Sequence, residues 1–285
     1  MSRLVGSLQR RERPPRRTGV SSGMEFAVLG AGPQSMLFLP GGPGSEVATG
    51  LMAALEERQL RPYLAAGYAT WTTTRRRDMP AGHTVADMAR DQAKFIRAEM
   101  GGRADVVVGQ SYGGLIALHL AADHPDVVGR VVIVGAAARV SDWGREVDGR
   151  WARLRATGQH ARAGSTMLEY LLPDERYAWL RRMAGPLAGV AFRGGRTPAG
   201  DLLVEAEAER TFDAREALSR ISVPVLMVCG GSDRFFPPPL VEETAEAIDD
   251  CTTLTYQGLG HIRTISSSRL PQDILGWLDD RPTVR

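Results

Sequence analysis

Short runs of apolar residues alternate with helical patterns along most of this chain. Runs such as residues 106–108 and 131–134 contain apolar residues at consecutive positions, without the alternation of a strand that has one face in water. Strands buried on both faces have this composition, and they belong to parallel sheets that helices cover on both sides. The pattern therefore predicts an α/β fold.

The pattern locates about seven strands and five helices in the body of the chain. The predicted strands are residues 26–29, 36–39, 63–70, 105–109, 130–134, 223–229 and 252–256. The predicted helices are residues 45–58, 84–100, 112–122, 240–248 and 271–278. Between residues 136 and 222 the chain is rich in Arg, Leu, Ala and Glu, with no convincing strand, which indicates several inserted helices.

The first 23 residues differ from the rest in composition and charge. They contain six arginines and one glutamate, few apolar residues and two adjacent prolines, which predicts a disordered basic tail. The formal net charge of the whole chain is +2 and that of this segment is +5, so the remaining chain has a net charge of about −3. That nearly neutral body gives no reason to expect nucleic acid as a partner.

Apolar segments and cysteines indicate the cellular compartment that the protein occupies. The first 23 residues have no apolar segment of about 7–15 residues as in a secretory signal, and no run of about 18 apolar residues predicts a membrane span. The two cysteines, Cys229 and Cys251, lie in or beside predicted strands and are expected to be free thiols. We therefore expect a cytoplasmic protein.

The sequence Gly109-Gln110-Ser111-Tyr112-Gly113 follows a buried strand and opens a helix. A sharp strand-to-helix turn lifts a serine hydroxyl clear of the sheet, where a base can reach it. Small residues at positions 109 and 113 remove side chains that would clash across such a turn. This context predicts that Ser111 is a nucleophile.

A serine nucleophile needs a base and an acid, and in folds that carry the serine on such a strand-to-helix turn they follow it in the order Asp or Glu, then His. Asp233 follows the strand predicted at residues 223–229, and His261 follows the strand predicted at residues 252–256. Both therefore lie at the sheet edge where open α/β folds place their sites. Asp142, which follows the strand at residues 130–134, is the alternative acid.

The Gly- and Pro-rich loop of residues 40–44 follows the strand at residues 36–39. An acyl-transfer site needs fixed N–H donors for the oxyanion that forms during the reaction. The backbone N–H groups of Tyr112 and Gly42 are predicted to be these donors, because Pro43 has no N–H group. Aromatic side chains near loops, namely Trp71, Trp143, Phe235 and Phe236, are candidates for the substrate pocket.

From about residue 26 to residue 278 the pattern resembles the α/β-hydrolase superfamily, most specifically at residues 109–114, at Asp233 and at Gly260-His261. Residues 40–44 resemble the His-Gly-Gly-Pro-Gly loop of proline iminopeptidases and related esterases, with Pro40 where a histidine is usual. The resemblance implies a mostly parallel, eight-stranded sheet flanked by helices. It also implies a core of residues 24–136 and 221–285, and a helical cap of residues 137–220 inserted after the sixth strand. The missing first strand would be absent or hidden near the tail.

Together these features predict a serine hydrolase that cleaves an ester, lactone or related acyl bond of a small molecule through an acyl-serine. The alternatives are an acyltransferase, a thioesterase or a carbon–carbon bond hydrolase with the same triad, and a ligand receptor that has kept the pocket. No metal or organic cofactor is needed for this chemistry. A membrane partner is not expected, and the protein is expected to be a monomer or a homodimer.

Overall fold

A computed structural model describes residues 15–190 and 195–280 of the chain. Its eight strands form one sheet in the order β1-β2-β4-β3-β5-β6-β7-β8. All neighbouring strands from β4 to β8 in this order are parallel, and only β2 runs against its two neighbours. The strands are β1 (Arg16–Ser21), β2 (Met24–Leu29), β3 (Gln34–Leu39), β4 (Tyr68–Thr73), β5 (Ala104–Gln110), β6 (Val128–Val134), β7 (Val225–Gly230) and β8 (Cys251–Tyr256).

Helices cover both faces of the sheet. Val107 of β5 packs with helices of one face, while Val106 and Val108 pack with the helices of residues 50–65 and 270–279 on the other. The consecutive apolar residues of β5 are therefore buried on both faces, as the sequence predicts. The helices are α1 (Gly50–Ala65), α2 (Val85–Glu99), α3 (Tyr112–Asp123), α4 (Asp142–Ala156), α5 (His160–Met167), α6 (Ala178–Val190), α7 (Ala199–Arg210), α8 (Arg215–Leu218), α9 (Pro238–Glu246), α10 (His261–Ile265) and α11 (Leu270–Asp279).

The inserted helices α4 to α8 connect β6 to β7, within the range predicted for the cap. Helix α4 begins at Ser141, whose hydroxyl accepts the Gly144 N–H at 3.0 Å. Helices α4 and α7 pack against each other and carry buried acidic residues toward the core. Among the described residues, no helix combines the length and apolar character needed to cross a bilayer.

The prediction of a disordered tail over residues 1–23 is wrong for its last part, while residues 1–14 lie outside the described chain. Arg16–Ser21 forms β1, which pairs with β2 through six residue pairs. Ser22 and Gly23 have φ angles of 53° and 78°, as in a two-residue hairpin turn of the primed type. The segment is polar, so it forms a strand because its backbone pairs with β2 and not because of its own hydrophobic pattern. It supplies the strand that the sequence pattern lacks.

The strand predicted at residues 63–70 begins only at Tyr68, because helix α1 runs on to Ala65. Leu60 and Tyr63 lie on the buried face of α1, so Tyr63 continues the helical pattern. Gly67, with φ of 90°, follows the end of the helix in the left-handed conformation that favours glycine.

Removal of residues 1–23 is expected to destabilise the protein. The Arg17 guanidinium lies 5.0 Å from the Phe26 ring centre and 5.2 Å from that of Trp71, and β1 covers the free edge of β2. Each cation–π contact contributes about 0.5–1 kcal/mol, so a chain starting at Met24 should lose at least ~1 kcal/mol of unfolding free energy. Urea titration checks this against a chain starting at Pro15. Equal unfolding free energies would contradict it.

Candidate active site

Ser111 stands at the turn between β5 and α3, near the centre of the sheet. Its backbone has φ of 52° and ψ of −118°, a conformation that is unfavourable for a residue with a side chain. The turn is held by the Ser111 N–H, which donates to the Val134 carbonyl at 2.9 Å, and by the Ser111 carbonyl, which accepts the Gly114 N–H at 2.7 Å. Strain held in this way is typical of a functional serine.

Close backbone contacts explain the two glycines that flank this turn. A Cβ atom on Gly109 would lie 2.5 Å from the Gly113 carbonyl oxygen, and one on Gly113 would lie 2.0 Å from that of Leu39. Neither position can therefore hold a larger residue without displacing backbone. The predicted tight turn is present.

His261 and Asp233 continue a chain of hydrogen bonds from Ser111. The Ser111 Oγ lies 2.9 Å from His261 Nε2, and His261 Nδ1 lies 2.8 Å from Asp233 Oδ2. The other carboxylate oxygen of Asp233 accepts the N–H groups of Phe235 and Phe236 at 2.9 and 3.1 Å. Asp233 follows β7 and His261 begins α10 after β8, so both reach Ser111 from the carboxyl edge of the sheet.

Asp142, the alternative acid, lies elsewhere. Its side chain is 95% exposed at the start of α4, where it forms an ion pair with Arg145. The Asp233 side chain, by contrast, is fully buried against the imidazole. Such an arrangement lets a carboxylate orient the histidine and stabilise its charged form, and only Asp233 has it.

The loop of residues 40–44 lies directly beside the nucleophile. A Cβ atom on Gly41 would lie 2.9 Å from the Ser111 Cβ, so the loop backbone lies close against the Ser111 side chain. Gly42 has φ of 70°, and its carbonyl accepts a hydrogen bond from Arg75 at 2.6 Å. Tyr112 is the first residue of α3, so its N–H has no partner within the helix. Both predicted oxyanion donors thus lie on segments that border Ser111.

Two cavities open beside this centre, of about 300 and 200 Å³. The larger is lined by the loop glycines and by apolar residues of the inserted helices, including Trp151, Met167 and Leu202. The smaller is lined by His261, Trp143 and Phe235, and Tyr170 lies between the two. The predicted pocket residues Trp143 and Phe235 are therefore placed at a cavity wall.

The other two predicted pocket residues lie in different places. Phe236 is buried with its ring centre 5.7 Å from that of His261, so it supports the imidazole. Trp71 lines neither cavity and packs in the core at 5.8 Å from the Phe26 ring and 6.1 Å from the Phe95 ring. The pocket prediction for Trp71 is wrong: the predicted strand ends at residue 70, but β4 runs to Thr73, and Trp71 lies within it with its side chain packed in the core.

Two acidic residues of the helices inserted between β6 and β7 are buried and have no signal in the local sequence. Asp148 of α4 and Glu209 of α7 are 5% and 3% exposed, and the Tyr170 hydroxyl donates to Asp148. Burial raises the pKa of Asp148 and raises that of Glu209 well above its ordinary value, with the neighbouring Asp148 adding to the second effect. Burial beside Asp148 therefore favours the protonated form of Glu209. No local pattern announces the pair, because the two residues come from separate helices.

This pair should make stability depend on pH. Because the folded pKa of Glu209 lies above its unfolded value, its contribution is complete below about pH 4 and is lost as pH rises through the folded pKa. A Glu209→Gln variant keeps a donor for Asp148 without the titration. Its unfolding free energy should fall less steeply than that of the wild type as pH rises above the unfolded pKa of about 4, measured by urea unfolding.

Glu207→Gln is the matched control, since Glu207 lies on the same helix but is 56% exposed and paired with Arg210. It should retain the wild-type pH dependence. A Glu209→Gln variant with the wild-type slope would contradict the raised pKa of Glu209.

Comparison with known proteins extends these observations. Residues 34–265 match the family model of the alpha/beta hydrolase fold. A pimeloyl-[acyl-carrier protein] methyl ester esterase of Neisseria meningitidis is 29% identical over 76% of this chain and 72% of its own. A protein of Variovorax paradoxus that carries the name carbamate hydrolase RutD is 28% identical over 67% of this chain and 71% of its own.

Among solved structures, MGS-M2, an alpha/beta hydrolase from a Medee basin deep-sea metagenome library, superposes with a TM-score of 0.71. It is 16% identical, over 92% of this chain and 96% of its own, and so attests the fold. The family match spans the loop beside Ser111, the turn that holds it, Asp233 and His261. This chain therefore belongs to the α/β hydrolase family and is an enzyme of that family.

Proposed function

We propose that this protein is a serine hydrolase that cleaves a carboxylic ester, lactone or related acyl bond of a small molecule through an acyl-serine intermediate. The observation that carries the proposal is the continuous chain Ser111 Oγ–His261 Nε2 and His261 Nδ1–Asp233 Oδ2, at 2.9 and 2.8 Å, beside two cavities. A protein that only binds a ligand does not need a base hydrogen-bonded to a serine, so this series of hydrogen bonds favours an enzyme over a receptor.

In the first half of the reaction, His261 Nε2 takes the Ser111 proton as Oγ attacks the acyl carbon. Asp233 accepts the Nδ1–H bond and stabilises the imidazolium. The carbonyl oxygen becomes an oxyanion, which the N–H groups of Tyr112 and Gly42 bind. The C–O bond then breaks, and the leaving oxygen takes the proton from Nε2.

In the second half, water attacks the acyl-serine. His261 removes a proton from this water, and a second tetrahedral intermediate forms in the same oxyanion site. Its collapse releases the carboxylic acid and returns the proton to Ser111 Oγ. The enzyme is unchanged after each turnover, and neither half requires a metal ion or organic cofactor as reactant.

The two cavities suggest which part of the substrate each side takes. The leaving group must be close to Nε2 of His261 to receive its proton, and the cavity of about 200 Å³ is lined by His261. The acyl chain then takes the cavity of about 300 Å³ beside the oxyanion loop. Both volumes are at or below the lower end of the range of about 300–1,000 Å³ for small-molecule sites, so we propose a compact ester with an apolar acyl group.

Of the two named relatives, the Neisseria methyl ester esterase supports an ester, while the Variovorax protein is named for a carbamate. The proposal is tested with a panel of p-nitrophenyl, methyl and thio esters of increasing acyl length, together with lactones and a Ser111→Ala control. We expect ester hydrolysis that falls as the acyl chain outgrows its cavity. Product that appears only when an alcohol acceptor is added would show an acyltransferase instead, and hydrolysis at the wild-type rate by Ser111→Ala would refute the proposal.

A further inference from the structure

One ion pair of the described structure is fully buried between the core and the cap. Arg75, which follows β4, and Glu205 of cap helix α7 join through Nε and Oε1 at 2.7 Å, with side-chain exposures of 2% and 0%. A buried ion pair is rarely kept for stability, because removing both charges from water costs about as much as their attraction returns. The contacts around the pair indicate what else it does.

Arg75 holds the oxyanion loop by its carbonyl groups. Its Nη1 donates to the Pro40 carbonyl at 3.2 Å, and its Nη2 donates to the Gly42 carbonyl at 2.6 Å. These two carbonyls flank the peptide group that carries the Gly42 N–H. Because Arg75 fixes the peptide planes on both sides, it fixes the direction of the N–H between them.

Glu205 completes the attachment from the cap side. Its Oε2 accepts the Gly44 N–H and lies 3.2 Å from Arg75 Nη2, so both partners of the ion pair hold the loop. The loop is thus fastened at residues 40, 42 and 44 by charged groups that water does not reach. Hydrogen bonds to charged groups are among the stronger ones in proteins.

The second oxyanion donor is connected to the same pair. The Tyr112 hydroxyl donates to the Glu205 carbonyl at 2.8 Å, and the Arg75 guanidinium lies 4.6 Å from the centre of the Tyr112 ring. The hydroxyl therefore binds the backbone of α7, and the ring contact with Arg75 connects Tyr112 to the side chains of the buried pair.

We propose that Arg75 and Glu205 are positioning residues. Together they hold the loop that carries the Gly42 N–H group, and Arg75 also packs on the ring of Tyr112, which carries the second donor. The inference rests on the proposed function. Neither residue touches the reacting atoms; both act through the loop, and Arg75 acts also through Tyr112. Their loss should weaken binding of the oxyanion more than binding of the neutral substrate.

Arg75→Lys keeps the charge but loses the planar fork that reaches Pro40 and Gly42 together. Glu205→Gln keeps the shape but loses the charge. Each should lower kcat roughly 10- to 100-fold with little change in KM, less than the roughly 100- to 1,000-fold effect of deleting a donor outright. The inhibition constant of a trifluoromethyl ketone, whose adduct with Ser111 carries an oxyanion, should rise by the factor by which kcat/KM falls.

Two further variants separate positioning from stability. Arg75→Met combined with Glu205→Leu replaces the pair by apolar residues of similar size and should recover stability relative to the single variants, while kcat stays low. Asp201→Asn is the matched control. Asp201 lies one turn before Glu205 and accepts the N–H groups of Asp78 and Met79 at 3.0 and 2.8 Å, but has no bond to the oxyanion loop. It should lower the unfolding midpoint and leave kcat unchanged.

The inference is overturned if the apolar double variant has the wild-type kcat, or if Asp201→Asn loses as much kcat as Glu205→Gln. These results stay distinct from a failure of the proposed function, which Ser111→Ala tests in the same assay. If Ser111→Ala is inactive and the pair variants turn over at the wild-type rate, only the positioning role is wrong.

Discussion

Replacing Ser111 by alanine is expected to lower kcat for ester hydrolysis by up to about 10⁶-fold. Removal of Oγ leaves no atom to form the acyl-enzyme, although the oxyanion donors and the cavities remain. Residual turnover on the order of 10³- to 10⁴-fold above the uncatalysed rate would come from these alone. The fold should be retained, because the substitution removes one oxygen atom and alanine has the same Cβ atom as serine at these backbone angles.

Steady-state kinetics with the best ester of the panel check this prediction, with thermal unfolding as the test of folding. Ser266→Ala is the control: Ser266 is an exposed serine just after α10, and its hydroxyl only donates to the Ile262 carbonyl at 2.7 Å. It should retain wild-type kcat. A loss of less than ten-fold for Ser111→Ala would mean that another group is the nucleophile.

Asp233→Asn is expected to lower kcat about 10⁴-fold. The carboxylate accepts the Nδ1–H of His261, which leaves Nε2 free to accept the Ser111 proton. An asparagine amide can instead donate to Nδ1 and so favour the tautomer that carries its proton on Nε2. In that tautomer His261 cannot act as a base toward Ser111.

Asp142→Asn supplies the comparison, since both aspartates follow strands of the sheet and only Asp233 contacts the imidazole. It should change kcat by less than two-fold, because its side chain is exposed and pairs only with Arg145. If Asp142→Asn lost as much activity as Asp233→Asn, the acid would have been assigned to the wrong strand.

The centre of the fold could be predicted because its signals are local. The turn at Ser111 is written in neighbouring residues: a buried strand, a small residue on each side and an apolar helix. Asp233 and His261 each follow a strand of a parallel sheet, and such strands end at a common edge. Position along the chain was therefore enough to bring all three to one place.

Features that depend on contacts between distant segments could not be predicted. Strand β1 is polar and becomes a strand only by pairing with β2. Trp71 lies one residue beyond the predicted strand of residues 63–70, and its place in β4 depends on packing against Phe95 in the core. The Arg75–Glu205 pair joins residues 130 positions apart, and a single buried arginine leaves no pattern in sequence.

Ser111 is expected to be the nucleophile of an acyl-serine mechanism. The most direct test is reaction of the wild-type protein with a fluorophosphonate, followed by intact mass measurement and peptide mapping. We expect one adduct per chain, located on Ser111, and a loss of ester hydrolysis in proportion to the fraction of protein labelled. An unmodified Ser111, or full activity after its modification, would contradict it.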